Sequence, residues 1–379
     1  MVGVDVARCV ALLGMMATHI LDPIGDDGRI AWPQELAGGR SSALFAVLAG
    51  VSMSFMTGGR SPHRDDRRLG DIVTLTTRAT VIGIVGLWLG QLDTQVAVIL
   101  VYYAALFMLG LPFLGLGPRP LFALSALWCV AAPALSHLVR RAWGEQSPTV
   151  PGAGADSAAA SLMDVLFTGY YPAVPWLTYL FAGMAIGRLD LTRTAVAVRA
   201  LVGGVLLATA AWGLSAALTA GPAVRRALMA TSEGAASWDA LAHQTSLGMH
   251  GTTPTGSWWW LAVAAPHSGT PLDLAHTTGT AVAVLGAALL LARRGPGLWA
   301  VLFGAGAMTL TLYTLHVVLL TPDLWPESSV ASYARHAALV LVVGAAFALA
   351  GSRGPLEATP DRSRVVASRV VMGRERVSG

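Results

Sequence analysis

The chain has 379 residues, 54% apolar and only 12% charged, with a mean hydropathy of +0.61. A soluble domain carries about twice that charge, so the composition excludes an ordinary water-soluble enzyme. Lysine is absent, which makes all 25 basic residues arginine and the net charge +4; this charge sits between apolar runs, as in a membrane protein, and does not indicate a nucleic-acid partner.

Ten apolar stretches are predicted to span a bilayer, near 4–24, 41–57, 72–91, 95–116, 119–139, 172–188, 198–220, 272–293, 298–320 and 331–352. Each approaches the length of about 20 residues that crosses the hydrocarbon core. The expected fold is therefore all-α: a polytopic integral membrane protein of about 10 transmembrane helices. Residues 1–353 form one transmembrane domain and 354–379 an Arg-rich cytoplasmic tail. The first stretch carries Asp5, Arg8 and His19 and lacks both a basic leader and a small-residue cleavage site, so it reads as a mature helix rather than a signal peptide.

Short cytoplasmic loops are enriched in basic residues. With the N-terminus inside, 18 of the 25 arginines fall on the inner side, among them the cluster from Arg60 to Arg68 and the tail from Arg353 to Arg376. Both termini are thus expected in the cytoplasm. The outer segments 22–40, 140–171 and 221–271 are longer. Ser147 to Ser161, rich in Pro, Gly, Ala and Ser, reads as a flexible loop. No segment is long enough to suggest a separate soluble domain. Trp258, Trp259 and Trp260 read either as an interfacial anchor or as a stacking wall for a sugar or other ring-shaped acceptor. Cys9 and Cys129 lie within apolar stretches and have no disulfide or metal-type spacing.

Ionisable groups within a span are costly and each needs a reason. Asp5 and Arg8 lie one turn apart on one face, either as a local ion pair or with Arg8 serving an anionic ligand from the cytoplasm. Arg78 either snorkels to the interface or meets a phosphate. At the outer ends, His19 closes the first span and Asp22 follows at i+3, a spacing that lets a carboxylate orient an imidazole as a general base. His267, Asp273 and His276 surround the start of the eighth span. His316 lies in the apolar run of the ninth, as an interhelical hydrogen-bonding group or a catalytic one, and His336 opens the tenth. His63 in the basic loop reads as solvated. The chain has no metal-type His pair, nucleophile elbow, P-loop or dinucleotide fingerprint, and no metal is expected.

The segment Gly3-Val-Asp-Val-Ala-Arg-Cys-Val-Ala-Leu-Leu-Gly-Met-Met-Ala-Thr-His19 resembles the first helix of transmembrane acyltransferases, with Cys9 where that pattern has Gly. The stretch from Gly39 to Ser52 resembles their second helix. Ala265 to Pro271, Gly306 to Tyr313 with His316, and Gly354-Pro-Leu-Glu357 extend the likeness over nearly the whole chain. It is similar to the bacterial heparan-alpha-glucosaminide N-acetyltransferase-like family. The resemblance implies acyl transfer across a membrane, from cytoplasmic acyl-CoA, most simply acetyl-CoA, to a hydroxyl or amine of an extracytoplasmic acceptor such as a glycan. The lysosomal relatives depend on a His in the loop after the first helix. Here that loop has none, which points to His19 and disfavours heparan itself.

On this basis the catalytic candidates are His19, Asp22, His316 and His267, with His19 oriented by Asp22, and His316 or His267 stabilising the oxyanion or positioning the acceptor. Arg8 and Arg78 are the candidates for the CoA phosphates. Arg40, Asp273, His276 and Trp259 are those for the acceptor. The expected partners are membrane lipids, acyl-CoA and a small acceptor, with a homodimer left open, in a bacterial plasma membrane. Direct transfer is the expected mechanism and an acyl-imidazole intermediate the alternative. A transporter or flippase for a small polar metabolite or lipid is the competing reading, and a non-catalytic membrane protein the third.

Overall fold

The computed structural model describes residues 1–144, 158–232, 234–325 and 328–358. The described residues form helices and connecting turns, with no strand. The first half contains α1 (Val2–Ile20), α2 (Trp32–Ala37), α3 (Arg40–Met56), α4 (Asp65–Leu89), α5 (Leu100–Gly110), α6 (Pro118–Trp143), α7 (Ala158–Met163) and α8 (Ala173–Gly187). The second contains α9 (Thr194–Thr219), α10 (Pro222–Met229), α11 (Trp238–Leu247), α12 (Pro271–Leu291), α13 (Pro296–Leu302), α14 (Thr309–Leu319) and α15 (Val330–Leu349).

Among the described residues, seven helices are long and apolar enough to cross a membrane: α1, the rod formed by α2 and α3, α4, α6, α9, α12 and α15. The expected spans 95–116 and 172–188 correspond to the shorter α5 and α8. The expected span 298–320 is not one helix. It breaks at Gly304–Ala307 into α13 and α14. Glycine weakens a helix interior, and here Gly304 and Gly306 also pack against the backbones of Gly344 and Asp5, where no Cβ would fit. Non-helical backbone at this depth is tolerated because protein surrounds it.

The break leaves the α14 N-terminus inside the protein. Glu357 satisfies it: Oε1 accepts from the amides of Leu310 (2.7 Å) and Thr311 (3.1 Å), and Oε2 from Thr311 Oγ1 (2.6 Å). The residues from Gly354 to Ala358, assigned from sequence to a tail, therefore fold back onto the bundle. The arginines from Arg362 onward lie outside the described residues. So does most of the expected loop Ser147–Ser161, whose last residues open α7.

The core is a bundle in which α3 packs on α8 and α9 on α12, with α1 between α3, α12 and the broken α13–α14 segment. Glycines permit the closest approaches. Gly50 of α3 meets Gly183 of α8, and Gly204 of α9 meets Gly279 and Ala283 of α12, the small-residue packing that membrane helices use. Segment 221–271, expected to hold no domain, builds a small cap whose own core is Val224, Leu228, Leu241 and Trp260.

Arg188, which follows α8, is 3% exposed. It donates to the carbonyls of Ser54, Thr57 and Gly59 at 3.1, 3.1 and 2.8 Å, to Thr57 Oγ1 at 3.0 Å, and to the Leu114 carbonyl. His63, expected to be solvated, instead pairs with Asp71 at 2.8 Å.

Candidate active site

Helix α1 carries polar residues at both ends of one face. Arg8, Leu12, Met15 and His19 follow the i, i+4, i+7, i+11 pattern, which places Arg8 and His19 about 16 Å apart along the same stripe. At the arginine end, Arg8 donates to Asp5 (2.9 Å) and to Ser52 Oγ of α3 (2.6 Å). Arg8, Ser52, Arg78 and Glu357 line one cavity of about 120 Å3, which continues between Met15, Tyr103 and Tyr313. Arg78 Nε is buried and has no hydrogen-bond partner among the described residues. Glu357, whose oxygens accept from α14, acts on Arg78 electrostatically but makes no hydrogen bond to Nε. A guanidinium so placed suits an anionic ligand, because phosphate geometry matches it and a buried donor without a partner is costly.

At the histidine end, three rings from three helices meet. His19 Nδ1 lies 3.2 Å from His316 Nε2 of α14, and the two rings stack with planes 7° apart. His316 Nδ1 in turn lies 3.3 Å from His336 Nδ1 of α15. His316 and His336 are each 1% exposed. Trp325 packs edge-on against His336, with ring centroids 4.2 Å apart. His19 opens onto a cavity of about 240 Å3 that it shares with Asp93, Gln95 and Trp325.

Asp22 is not part of this group. Its Oδ1 accepts from Ser328 Oγ at 3.4 Å. The i+3 pairing with His19 requires helix through residue 22, but α1 ends at Ile20 and Leu21 is extended (φ −92, ψ 140). Pro23 follows Asp22 and disfavours helical backbone there. The side chain within hydrogen-bond distance of the His19 ring is that of His316, not Asp22.

His267 is near enough to His19 to act on it electrostatically, but it makes no hydrogen bond to it. It sits in the turn before α12 with φ 56, held by the bond from the Gly251 amide to its carbonyl (2.7 Å), and its ring packs edge-on against Tyr171. Burial, with a smaller contribution from His250, pushes its imidazole down to about 4, so it is neutral at neutral pH.

Arg40, Asp273 and His276 share a third cavity of about 330 Å3 with Gln34 and Trp212. His276 Nδ1 donates to the Ala208 carbonyl (3.0 Å), which leaves Nε2 as the acceptor for Arg40 Nε (3.2 Å). Asp273 accepts from the Gly269 amide (3.0 Å), and its own amide donates to Oγ1 of Thr270 (3.1 Å), the residue that caps α12. Trp259 does not join them. It is exposed on the cap beside Trp258, while Trp260 is buried with Nε1 donating to Thr231 Oγ1 (2.9 Å). The aromatic residue of this cavity is Trp212, which sequence reading passed over as one more apolar residue of a span.

A family model described as heparan-alpha-glucosaminide N-acetyltransferase, catalytic, matches residues 1–213. The matched part holds His19, Arg8, Arg40 and Arg78, whereas His267, Asp273, His276, His316 and His336 lie beyond it. No curated protein matches the chain.

Proposed function

Because the chain belongs to the heparan-alpha-glucosaminide N-acetyltransferase catalytic family, and hence to a family of membrane acetyltransferases, we propose that it moves an acetyl group from cytoplasmic acetyl-CoA to a hydroxyl or amine on the opposite side. The observation that carries this reading is the division of α1. An anion-ready cavity at Arg8 and Arg78 and an imidazole pair at His19 and His316 share one helix face. In this reading Arg78, with Arg8, holds CoA phosphate, and the thioester arm runs along α1 towards His19.

The three imidazoles admit a single arrangement that leaves His19 Nε2 as a base. His19 Nδ1–H donates to His316 Nε2, and His316 Nδ1–H donates to His336 Nδ1. All three are then neutral, and the His19 Nε2 lone pair removes the acceptor proton as the acceptor attacks the thioester carbonyl. The carbon–sulfur bond breaks, and the proton leaves with the CoA thiolate. General-base help of this kind contributes about 10²–10⁴-fold.

The cavity of Arg40, Asp273 and His276 is the acceptor site in this proposal, with Trp212 as its aromatic wall. The richness in Ala, Gly and Arg without Lys supports a GC-rich bacterial genome and so a bacterial plasma membrane. The test uses proteoliposomes with labelled acetyl-CoA outside and amino-sugar acceptors inside. Label should appear on the enclosed acceptor with wild type and not with His19→Ala. Equal transfer by His19→Ala would overturn the assignment.

A further inference from the structure

The largest of the cavities described takes no part in this chemistry. It is a cleft of about 580 Å3 between α6, α8, α9 and α12. Small residues, among them Ala126, Ala182 and Gly203, open it. A Cβ at Gly203 would meet no atom within 4 Å, whereas neighbouring Gly204 is pressed against α12. The cleft lies beside the apolar face of α9 that carries the exposed Val202 and Leu206, the face a membrane helix turns to lipid.

Thr178 of α8 and Thr278 of α12 line the cleft and are 2% and 7% exposed. A further observation indicates the occupant. Arg199 stands at the mouth, near the start of α9, exposed and in no ion pair among the described residues. Its position lets the guanidinium reach the interface while its stem lies on apolar surface.

We propose that this cleft binds one anionic phospholipid, with an acyl chain lying along Gly203 towards the threonines and the phosphate on Arg199. The apolar lining takes the chain, and the unpaired guanidinium selects the charge of the headgroup. Arginine recognises phosphate by geometry as well as charge.

Native mass spectrometry of the purified full chain, titrated with phosphatidylglycerol or phosphatidylcholine, tests this. Wild type should retain one tightly held lipid and prefer phosphatidylglycerol. Arg199→Gln should weaken phosphatidylglycerol about fivefold, the effect of one arginine near an anionic headgroup, and leave phosphatidylcholine unchanged. Gly203→Leu fills the open space and should expel the tightly held copy of either lipid. Gly213→Leu, which also enters open space on α9 but away from the cleft, should retain it. Retention by Gly203→Leu, equal loss from both leucine variants, or no preference between headgroups in wild type would each overturn the proposal.

Discussion

His19 of α1 and His316 of α14 are 297 positions apart in the chain, yet their rings stack with planes 7° apart and nitrogens 3.2 Å apart. A polar pair inside a membrane bundle needs both partners to be satisfied, and here each imidazole supplies the other. His316→Asn should therefore lower transfer by about 10²-fold while acetyl-CoA binding persists. His336→Asn, one ring further from the reaction, should cost less. Steady-state rates beside calorimetric affinities check both; a His316→Asn protein with full activity contradicts the role.

Asp22 faces Ser328 rather than His19. Asp22→Asn should leave the rate within about twofold of wild type, since an exposed weak contact contributes little. A loss comparable to that of His316→Asn would mean that Asp22 orients the base after all.

Arg188 binds five backbone and hydroxyl acceptors at the end of α8. Arg188→Ala strands several of them in a dry site and should destabilise the protein by roughly 3 kcal/mol or more, seen as a lowered melting temperature in detergent. Arg188→Lys should recover only part of this, because an ammonium cannot reproduce the planar fork.

His267 titrates near 4 in the folded chain, against 6.5 for an unperturbed imidazole. The unfolded state then binds more protons between those values, so the stability linked to His267 is complete above pH 6.5 and declines as pH falls towards 4. His267→Gln should flatten the acid side of the melting-temperature profile. A profile with unchanged slope would show that His267 is not held neutral.

Much of the architecture was legible as hydropathy. All ten predicted spans contain helix, because an apolar run must satisfy its backbone internally. The Asp5–Arg8 pair followed from helical spacing alone. What failed was whatever depended on distant partners or on local backbone. The Asp22 pairing assumed a helix that Pro23 does not permit, and the break at Gly304–Ala307 looked like ordinary apolar sequence. Glu357 read as tail because its role exists only once α14 begins inside the bundle. Arg188 was legible as a topological charge but not as a buried clamp. Among the candidate site residues, spacing drew attention to His19 and His316 separately; only the fold brings them together.

The central claim is that Arg78 of α4, beside Arg8 at one end of the α1 face, and His19 at the other end serve different steps. Calorimetric titration of acetyl-CoA into detergent-purified wild type, Arg78→Ala and His19→Ala tests it most directly. The account predicts saturable binding by wild type, affinity about tenfold weaker for Arg78→Ala from the loss of a charge-assisted phosphate contact, and affinity unchanged for His19→Ala. Unaltered binding by Arg78→Ala, or lost binding by His19→Ala, would contradict it.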